Sequence, residues 1–154
     1  MNLLRLGELT TQSRYYDAAI LGFSAFQEAI ERNPRGFGEM LLALDFLHDE
    51  PKEIVIVRSE KDDAEALLAP LRRSFVPNRV LAVVKPPNTL AAMIPLVEGK
   101  RAIEDHATAY VCENGVCGYP TSDANVFAKQ ISKVELPSPD ARPDSQPRPG
   151  VPIK

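Results

Sequence analysis

An Asn114-Gly115 pair flanked by two cysteines is the feature that most restricts how this chain can fold. Asn-Gly suits a two-residue type I′ turn, in which both central residues take positive φ at little cost. With these two residues as the loop, Cys112 faces Cys117 at a non-hydrogen-bonded position, where side chains on paired strands come closest. The sequence therefore predicts a β-hairpin whose cysteines lie within disulfide distance, either as a packed thiol pair or as a disulfide.

The residues after the hairpin predict a change from strand to helix. Pro120 has no amide donor and is expected to end the strand ladder. Thr121 or Ser122 is expected to cap a helix entered through Asp123. The apolar positions of this last helix are Val126, Phe127 and Ile131.

The first fifty residues have apolar side chains at spacings of three and four, which predicts three helices. The first covers residues 2 to 10, and Ser13 is expected to cap the second. Asn33-Pro34 opens the third, since proline loses no hydrogen bond at the first helical position. The predicted apolar faces are Leu3, Leu6 and Leu9 in the first helix; Tyr16, Ala19, Ile20, Phe23, Gln27 and Ile30 in the second; and Phe37, Met40, Leu41, Leu44 and Leu47 in the third.

From residue 51 the pattern becomes that of an α/β unit. Residues 54–57 and 80–84 are short continuous apolar runs, typical of strands buried on both faces. The helix between them is expected to start at a capping box of Asp62 and Glu65, and to kink at Pro70. A strand, a helix and a strand of these lengths predict parallel strands joined by a crossover. The apolar positions of the crossover helix are Leu67, Leu68, Leu71 and Phe75.

The predicted fold class is therefore α/β, with three N-terminal helices packed with a small mixed β-sheet that other helices flank. A short helix is expected over residues 90–96, ended by Pro95, and the hairpin then adds one or two strands. The expected domains are a helical segment over 1–50, a small α/β subdomain with the cysteine hairpin over 51–135, and a proline-rich flexible tail over 136–154.

The composition limits the classes of partner and location. A net charge of -3 gives no basic surface field, so nucleic acid and anionic membranes are not expected as partners. No apolar run approaches the roughly 18 residues of a membrane span, and the N-terminus lacks the pattern of a secretory signal. Two cysteines are too few for a secreted disulfide scaffold, so a cytoplasmic location is expected.

The cysteine pair and one acidic cluster are the candidates for chemistry. A redox nucleophile of the thioredoxin type needs a helix N-terminus and a two-residue spacer, whereas four residues separate Cys112 from Cys117. A structural role is therefore predicted for the pair, and a small thiol-redox module is the alternative. Glu104, Asp105 and His106 are acid–base candidates, but a glycosidase pair must face across roughly 5 to 10 Å in a cleft, and such clusters are usually solvated turns.

The remaining candidate sites are interpreted structurally. Zinc would need four close ligands, and His106 is the only histidine near the cysteines, so no metal and no cofactor are predicted. Five aromatic residues could line a sugar subsite, but at helical spacing they are expected to be core. These are Tyr15, Tyr16, Phe23, Phe26 and Phe37.

Three stretches of the chain resemble one protein family. Residues 101–123, RAIEDHATAYVCENGVCGYPTSD, closely resemble the end of the spermatogenesis-associated protein 20 family, and NLLRL at 2–6 and SFVPNRVL at 74–81 resemble it in the same order. The resemblance covers residues 2 to about 132. Members of this family have a thioredoxin-like domain, then a toroid of helical hairpins like that of six-hairpin glycosidases, and then this C-terminal region.

The resemblance implies a role for the chain and excludes the transfer of an active site. The three helices correspond to the last hairpins of the toroid, and the chain is a non-catalytic structural or interaction region. Its implied partner is the remainder of the parent protein, with self-association when that is absent. Neither the redox motif nor most of the toroid matches any position here, so no catalytic residue is carried over, and redox or carbohydrate-related chemistry is implied only for the full-length family.

Overall fold

The computed structural model describes residues 1–86 and 90–132 of the 154-residue chain. The expected flexible tail over 136–154 lies outside these residues. Within the described ranges there are five α-helices and four strands, which confirms the α/β class. In chain order they are α1 (Asn2–Thr10), α2 (Ser13–Arg32), α3 (Gly38–His48), β1 (Lys52–Val57), α4 (Glu65–Arg73), β2 (Arg79–Val84), β3 (Thr108–Glu113), β4 (Val116–Cys117) and α5 (Ala124–Ser132).

The described strands form one mixed sheet in the order β2-β1-β3-β4. The central strand β1 is parallel to β2 and antiparallel to β3, so Ile54 lies between Leu81 and Val111. Residues 54–57 of β1 are buried, as the continuous apolar run predicts. The same prediction is wrong for β2, because this strand lies at the sheet edge and its Leu81 is 38% exposed.

Side chains from both faces of the sheet form separate cores. One core joins Ile54 and Ile56 to α4 and α5 through Leu67, Phe127 and Ile131. The opposite core joins Val55 and Val57 to Ala82, Val84 and Val97. A third core attaches the N-terminal helices to β2 through Leu4, Ala43, Phe46 and Val80. The predicted boundaries of the helical and α/β segments at residues 50 and 135 stay predictions.

The predicted apolar face of α1 is wrong for Leu3 and Leu6, whereas Leu9 packs against the third core. Leu3 and Leu6 are each 39% exposed, whereas Leu4 is fully buried and Gly7 is buried with it. The reason is the contact with α2, because a β-carbon at Gly7 would collide with the ring of Tyr16. Because Gly7 has no side chain, the face of α1 that contains Gly7 is the one that packs against α2.

The buried face of α3 also differs from the prediction. Ala43 and Phe46 are the buried residues of this helix, whereas Leu41 is 39% exposed and Leu44 is half-buried. A 3₁₀ turn over Pro34–Phe37 precedes α3, so Asn33-Pro34 does not open the α-helix directly. Phe46 and Ala43 belong to the buried cluster that also contains Val80 of the sheet, so this face of α3 is the one that packs into the core.

Three smaller predictions around α4 and after β2 are also corrected. The residue before α4 is Ala64 at φ 69°, with no side-chain cap, so Asp62 and Glu65 do not form a capping box. The helix ends at Arg73, which leaves Phe75 93% exposed instead of in the core. No α-helix forms over the described residues 90–96, where a turn leads into a 3₁₀ helix that starts at Pro95.

The region after β4 departs from the prediction in two ways. Pro120 does not end the ladder, because Thr121 exchanges two backbone hydrogen bonds with Ala109, at 2.8 and 3.0 Å. The cap of α5 is Asp123, whose Oδ1 accepts hydrogen bonds from the amides of Asn125 and Val126. Thr121 instead accepts a hydrogen bond from the Asp123 amide. Among the described helices, none combines the length and the apolar character that a membrane crossing requires.

Candidate functional site

The hairpin is closed by a disulfide between Cys112 and Cys117, whose Cα atoms are 3.9 Å apart. Asn114 and Gly115 form the turn, at φ 52° and 75°. The two sulfurs differ in environment, since Cys112 is 1% exposed on β3 and Cys117 is exposed on the edge strand β4. The structure thus holds the pair as a disulfide that joins the sheet interior to its edge.

Few backbone contacts hold β4 in place. Its register pairs Cys117 with Cys112 and Val116 with Glu113, and the next hydrogen bond runs from the Gly118 amide to the Val111 carbonyl at 2.9 Å. Between this pairing and the contact of Ala109 with Thr121 there is one more residue on the β4 side than on β3, which makes a bulge. The bulge accommodates Pro120 without ending the sheet.

A small cleft of about 200 Å³ lies beside the hairpin. Lys52 is buried, and its ammonium group forms an ion pair with Glu113 at the rim. Gln130 of α5 donates a hydrogen bond from Nε2 to the Tyr119 carbonyl at 2.9 Å, and its buried Oε1 has no partner within the described ranges. The cleft is lined by Lys52, Val111, Glu113, Val116, Gly118 and Gln130.

The acid–base candidates Glu104, Asp105 and His106 form an exposed turn. Glu104 and Asp105 have φ values of 51° and 60°, and the His106 amide donates a hydrogen bond to the Ile103 carbonyl at 2.9 Å. Asp105 Oδ2 accepts a hydrogen bond from Lys61 Nζ at 2.7 Å. The structure brings these candidates together as neighbours in a solvated turn, not as carboxylates that face each other across a cleft.

Within residues 1–86 and 90–132, no three side chains of His, Cys, Asp or Glu come together in a way that could hold a metal ion. His106 lies in the turn before β3, whereas both cysteine sulfurs are joined to each other at the far end of that strand.

Asp62 is an organising residue that the sequence reasoning interpreted only as a helix cap. Its Oδ1 accepts a hydrogen bond from the Ala64 amide and its Oδ2 accepts one from the Ala107 amide, each at 2.9 Å. These bonds, the one to Ala107 first, lower the pKa of Asp62, and the charge of His106 adds to the effect. An aspartate soon after a strand is a known turn former, but the contact with Ala107 leaves no local signal in the sequence.

A second missed residue is Lys100, which lies between the 3₁₀ helix and β3. Its Nζ donates a hydrogen bond to the Leu96 carbonyl at 2.6 Å and lies 5.9 Å from the ring centroid of Tyr110. Burial lowers the pKa of Lys100, and the nearby charge of Glu53 opposes that shift. These contacts attach the turn after residue 97 to the sheet face.

An apolar groove of about 380 Å³ lies between α2 and α3. Although α2 has 20 residues and is described throughout, none of them is buried. Glu31 is the charged side chain in the lining, and its Oε1 accepts a hydrogen bond from Gln27 Nε2 at 2.9 Å. The groove is lined by Ile20, Phe23, Ser24, Gln27, Ile30, Glu31, Leu44 and Leu47.

The aromatic residues of the N-terminal helices belong to the expected core only in part. Tyr16 and Phe23 are half-buried against the third core. Phe26 is 49% exposed and contacts Phe37, with the ring centroids 6.2 Å apart. These aromatic residues therefore lie at the border between the packed interior and the groove.

The fold and these surfaces define a small mixed-sheet α/β region with a disulfide-closed hairpin and an open helical groove. The sequence is similar to spermatogenesis-associated protein 20 of Homo sapiens, at 35% identity over 125 residues, and to those of Rattus norvegicus and Mus musculus, each at 34%. The matches cover 79% of this chain and 16% of each relative, so the chain spans about a sixth of their length. The chain belongs to the spermatogenesis-associated protein 20 family, which confirms the assignment made from its sequence.

Two further comparisons found no relative. No protein-family model matches the chain. No solved structure matches it either.

Proposed function

We propose that this chain is a non-catalytic structural and interaction region of a larger protein, and that its α2–α3 groove docks onto the remainder of that protein. The observation that supports this most is the open face of α2. None of its residues is buried, and Ile20 and Ile30 of its apolar stripe line the groove, while Tyr16 packs against the third core. Helices in proteins gain most of their stability from packing an apolar face. An apolar face that is left uncovered in a 20-residue helix is typical of a protein-binding surface.

The comparisons support a partner within the same protein. The relatives are much longer than this chain, which corresponds to only 16% of each of them. The family resemblance suggests that the remainder contains a helical-hairpin toroid and a thioredoxin-like domain. A helical hairpin could cover the groove by ordinary ridge-into-groove packing of helices. Redox or carbohydrate-related chemistry of the full-length protein is part of this proposal, and it is assigned to the parts that this chain lacks.

The groove also suggests the chemistry of the surface that covers it. Ile20, Ile30 and Leu44 supply apolar walls, which suit an amphipathic helix with apolar residues at spacings of three and four. Glu31 supplies a carboxylate at the same surface. We therefore expect the docking helix to place a lysine or arginine opposite Glu31, where the ion pair would favour one register over others.

The test uses two polypeptides, this chain and a family member from which the matching region has been deleted. We expect them to form a one-to-one complex, measured by isothermal titration calorimetry. Ile30→Glu should weaken this complex at least about tenfold, because it places a charge in a desolvated contact. Leu21→Glu is the matched control, since Leu21 lies on the same helix, is 71% exposed and does not line the groove. No complex, or equal weakening by both substitutions, would contradict the proposal.

The alternative is a small thiol-redox module that uses Cys112 and Cys117, and the disulfide is the observation that favours it. Such a module needs a nucleophile whose pKa is lowered, usually by a helix N-terminus. The helix nearest in sequence is α5, which begins at Ala124. An assay of catalysed insulin reduction would separate the two functions, because the structural proposal predicts a rate no higher than that of the free dithiol.

We place the protein in the cytoplasm as part of the same proposal. The supporting observation is the presence of only two cysteines, which are too few for a secreted disulfide scaffold. In that compartment an accessible disulfide is in contact with reducing thiols. The state of the hairpin link then depends on the reductants around it.

A further inference from the structure

We propose that the Cys112–Cys117 disulfide is a reducible link, opened by an external dithiol that attacks Cys117, and that its opening releases β4 from the sheet. This inference goes beyond the docking function, because it assigns a switch to the opposite end of the molecule from the α2–α3 groove. It needs no catalysis by the chain itself. The dithiol is the chemical partner, whether it is a small molecule or belongs to a protein.

The accessibility of the two sulfurs determines the direction of attack. A thiolate must reach the sulfur that it attacks, so access is one of the factors that set the rate of exchange. Cys117 is exposed on the edge strand, whereas Cys112 is 1% exposed beneath it. Attack therefore occurs at Cys117 Sγ, and Cys112 Sγ is the leaving group.

The chemistry balances with one equivalent of dithiol. The first thiolate forms a bond to Cys117 Sγ while the Sγ–Sγ bond breaks, and Cys112 Sγ takes the electron pair and then a proton from water. The second thiolate of the reductant attacks the reductant's own sulfur in this mixed disulfide and releases Cys117 as a thiolate, which is protonated. The protein gains two electrons and two protons, and the dithiol leaves as its disulfide.

The structural effect follows from how little else holds β4. This strand has two residues, and a ladder of that length is marginal without further support. Val116 is 75% exposed and Tyr119 is 91% exposed, so neither side chain anchors the segment in a core. The Thr121 pairing with Ala109 on one side and the ion pair of Glu113 with Lys52 on the other limit the released segment to residues 114–120.

Release of this segment removes one wall of the cleft beside the hairpin. Val116 and Gly118 line the cleft from the segment that moves, whereas Lys52 and Gln130 line it from β1 and α5. The hydrogen bond from Gln130 Nε2 to the Tyr119 carbonyl also crosses this boundary. Reduction therefore changes the surface at the hairpin and leaves the sheet core in place.

The first experiment identifies the attacked sulfur. The oxidised full chain is incubated with glutathione under native conditions, quenched in acid and alkylated, and peptide mass spectrometry then locates the mixed disulfide. We expect glutathione on Cys117 and the alkyl group on Cys112, with the two positions reversed in fewer than about one molecule in ten. Glutathione mainly on Cys112, or no mixed disulfide without denaturant, would overturn the proposal.

The second experiment measures the release. Hydrogen exchange of the oxidised chain is compared with that of the chain reduced by dithiothreitol, and the Gly118 amide is expected to exchange at least about tenfold faster after reduction. Amides of β1 should keep their protection. The double variant Cys112→Ser with Cys117→Ser is the control, because it should match the reduced chain and not respond to dithiothreitol. Unchanged exchange at Gly118, or loss of protection throughout β1, would contradict the inference.

Discussion

At the scale of single residues, Asp62 joins two parts of the chain that are 45 positions apart. Its carboxylate accepts amide hydrogen bonds from Ala64, at the start of α4, and from Ala107, just before β3. The residue type and its place after β1 could be read from the sequence. The partner Ala107 could not, because no local pattern indicates which distant amide a turn carboxylate will reach.

We expect Asp62→Ala to lower the free energy of unfolding by about 1 to 3 kcal/mol, since it leaves two amides without their acceptor. Urea denaturation measures this change. Asp63→Ala is the control, because Asp63 is exposed and accepts one hydrogen bond, from the Glu65 amide at 3.1 Å. If Asp62→Ala lowers the free energy of unfolding no more than Asp63→Ala does, the hydrogen bond to Ala107 does not stabilise the fold.

The same carboxylate predicts a dependence of stability on pH. The folded pKa of Asp62 is lowered from its ordinary value of 3.8, so its contribution is fully present above that value and is lost as the pH falls through the folded pKa. The free energy of unfolding of the wild type should therefore fall more steeply below about pH 4 than that of Asp62→Asn. Urea titrations at a series of acidic pH values provide the measurement, and parallel pH profiles would be the contrary result.

At the scale of elements, the hairpin and the N-terminal helices differ in how well the sequence predicts them. The Asn-Gly loop determines its register by local rules, so the pairing of Cys112 with Cys117 follows from the turn alone. The helix faces are not determined locally. The predicted stripe of α3 includes Leu44 and Leu47, and both line the groove, while Phe46 is buried. Periodicity in the sequence identifies the apolar residues of a helix, but it does not indicate which of them are buried within this chain.

The orientation of α3 predicts a contrast between two truncations. Phe46→Ala should cost about 3 to 5 kcal/mol, because it empties a fully buried site. Leu41→Ala should cost less than about 1 kcal/mol, since Leu41 is 39% exposed although it belongs to the predicted stripe. Thermal or urea unfolding of the two variants measures the difference, and the reverse order would mean that α3 packs through the other face.

The turn of the hairpin predicts a contrast between two glycines. Gly115→Ala should lower the free energy of unfolding by about 1 to 2 kcal/mol, because φ is 75° at this position. Gly38→Ala is the matched control, since Gly38 has φ -51° at the start of α3 and open space around its α-carbon. This control should be neutral or stabilise by up to about 1 kcal/mol. Equal destabilisation by both substitutions would contradict the assigned turn geometry.

At the scale of the whole molecule, the sheet and its flanking helices form a packed unit, while α2 and α3 carry more apolar surface than the unit buries. The α/β class and the family could be predicted from the sequence, because the strand runs and the hairpin motif are both continuous in it. The groove could not, because it results from which helix faces the sheet leaves uncovered. The part of the expected core stripe that lines this groove is the main candidate for a docking surface.

Sedimentation velocity of the isolated chain over a wide range of concentration tests this docking surface most directly. We expect the wild type and Leu21→Glu to self-associate as the concentration rises, because the described part of the chain leaves the apolar groove open. Ile30→Glu should stay monomeric over the same range. A strictly monomeric wild type, or association that Ile30→Glu leaves unchanged, would contradict the account.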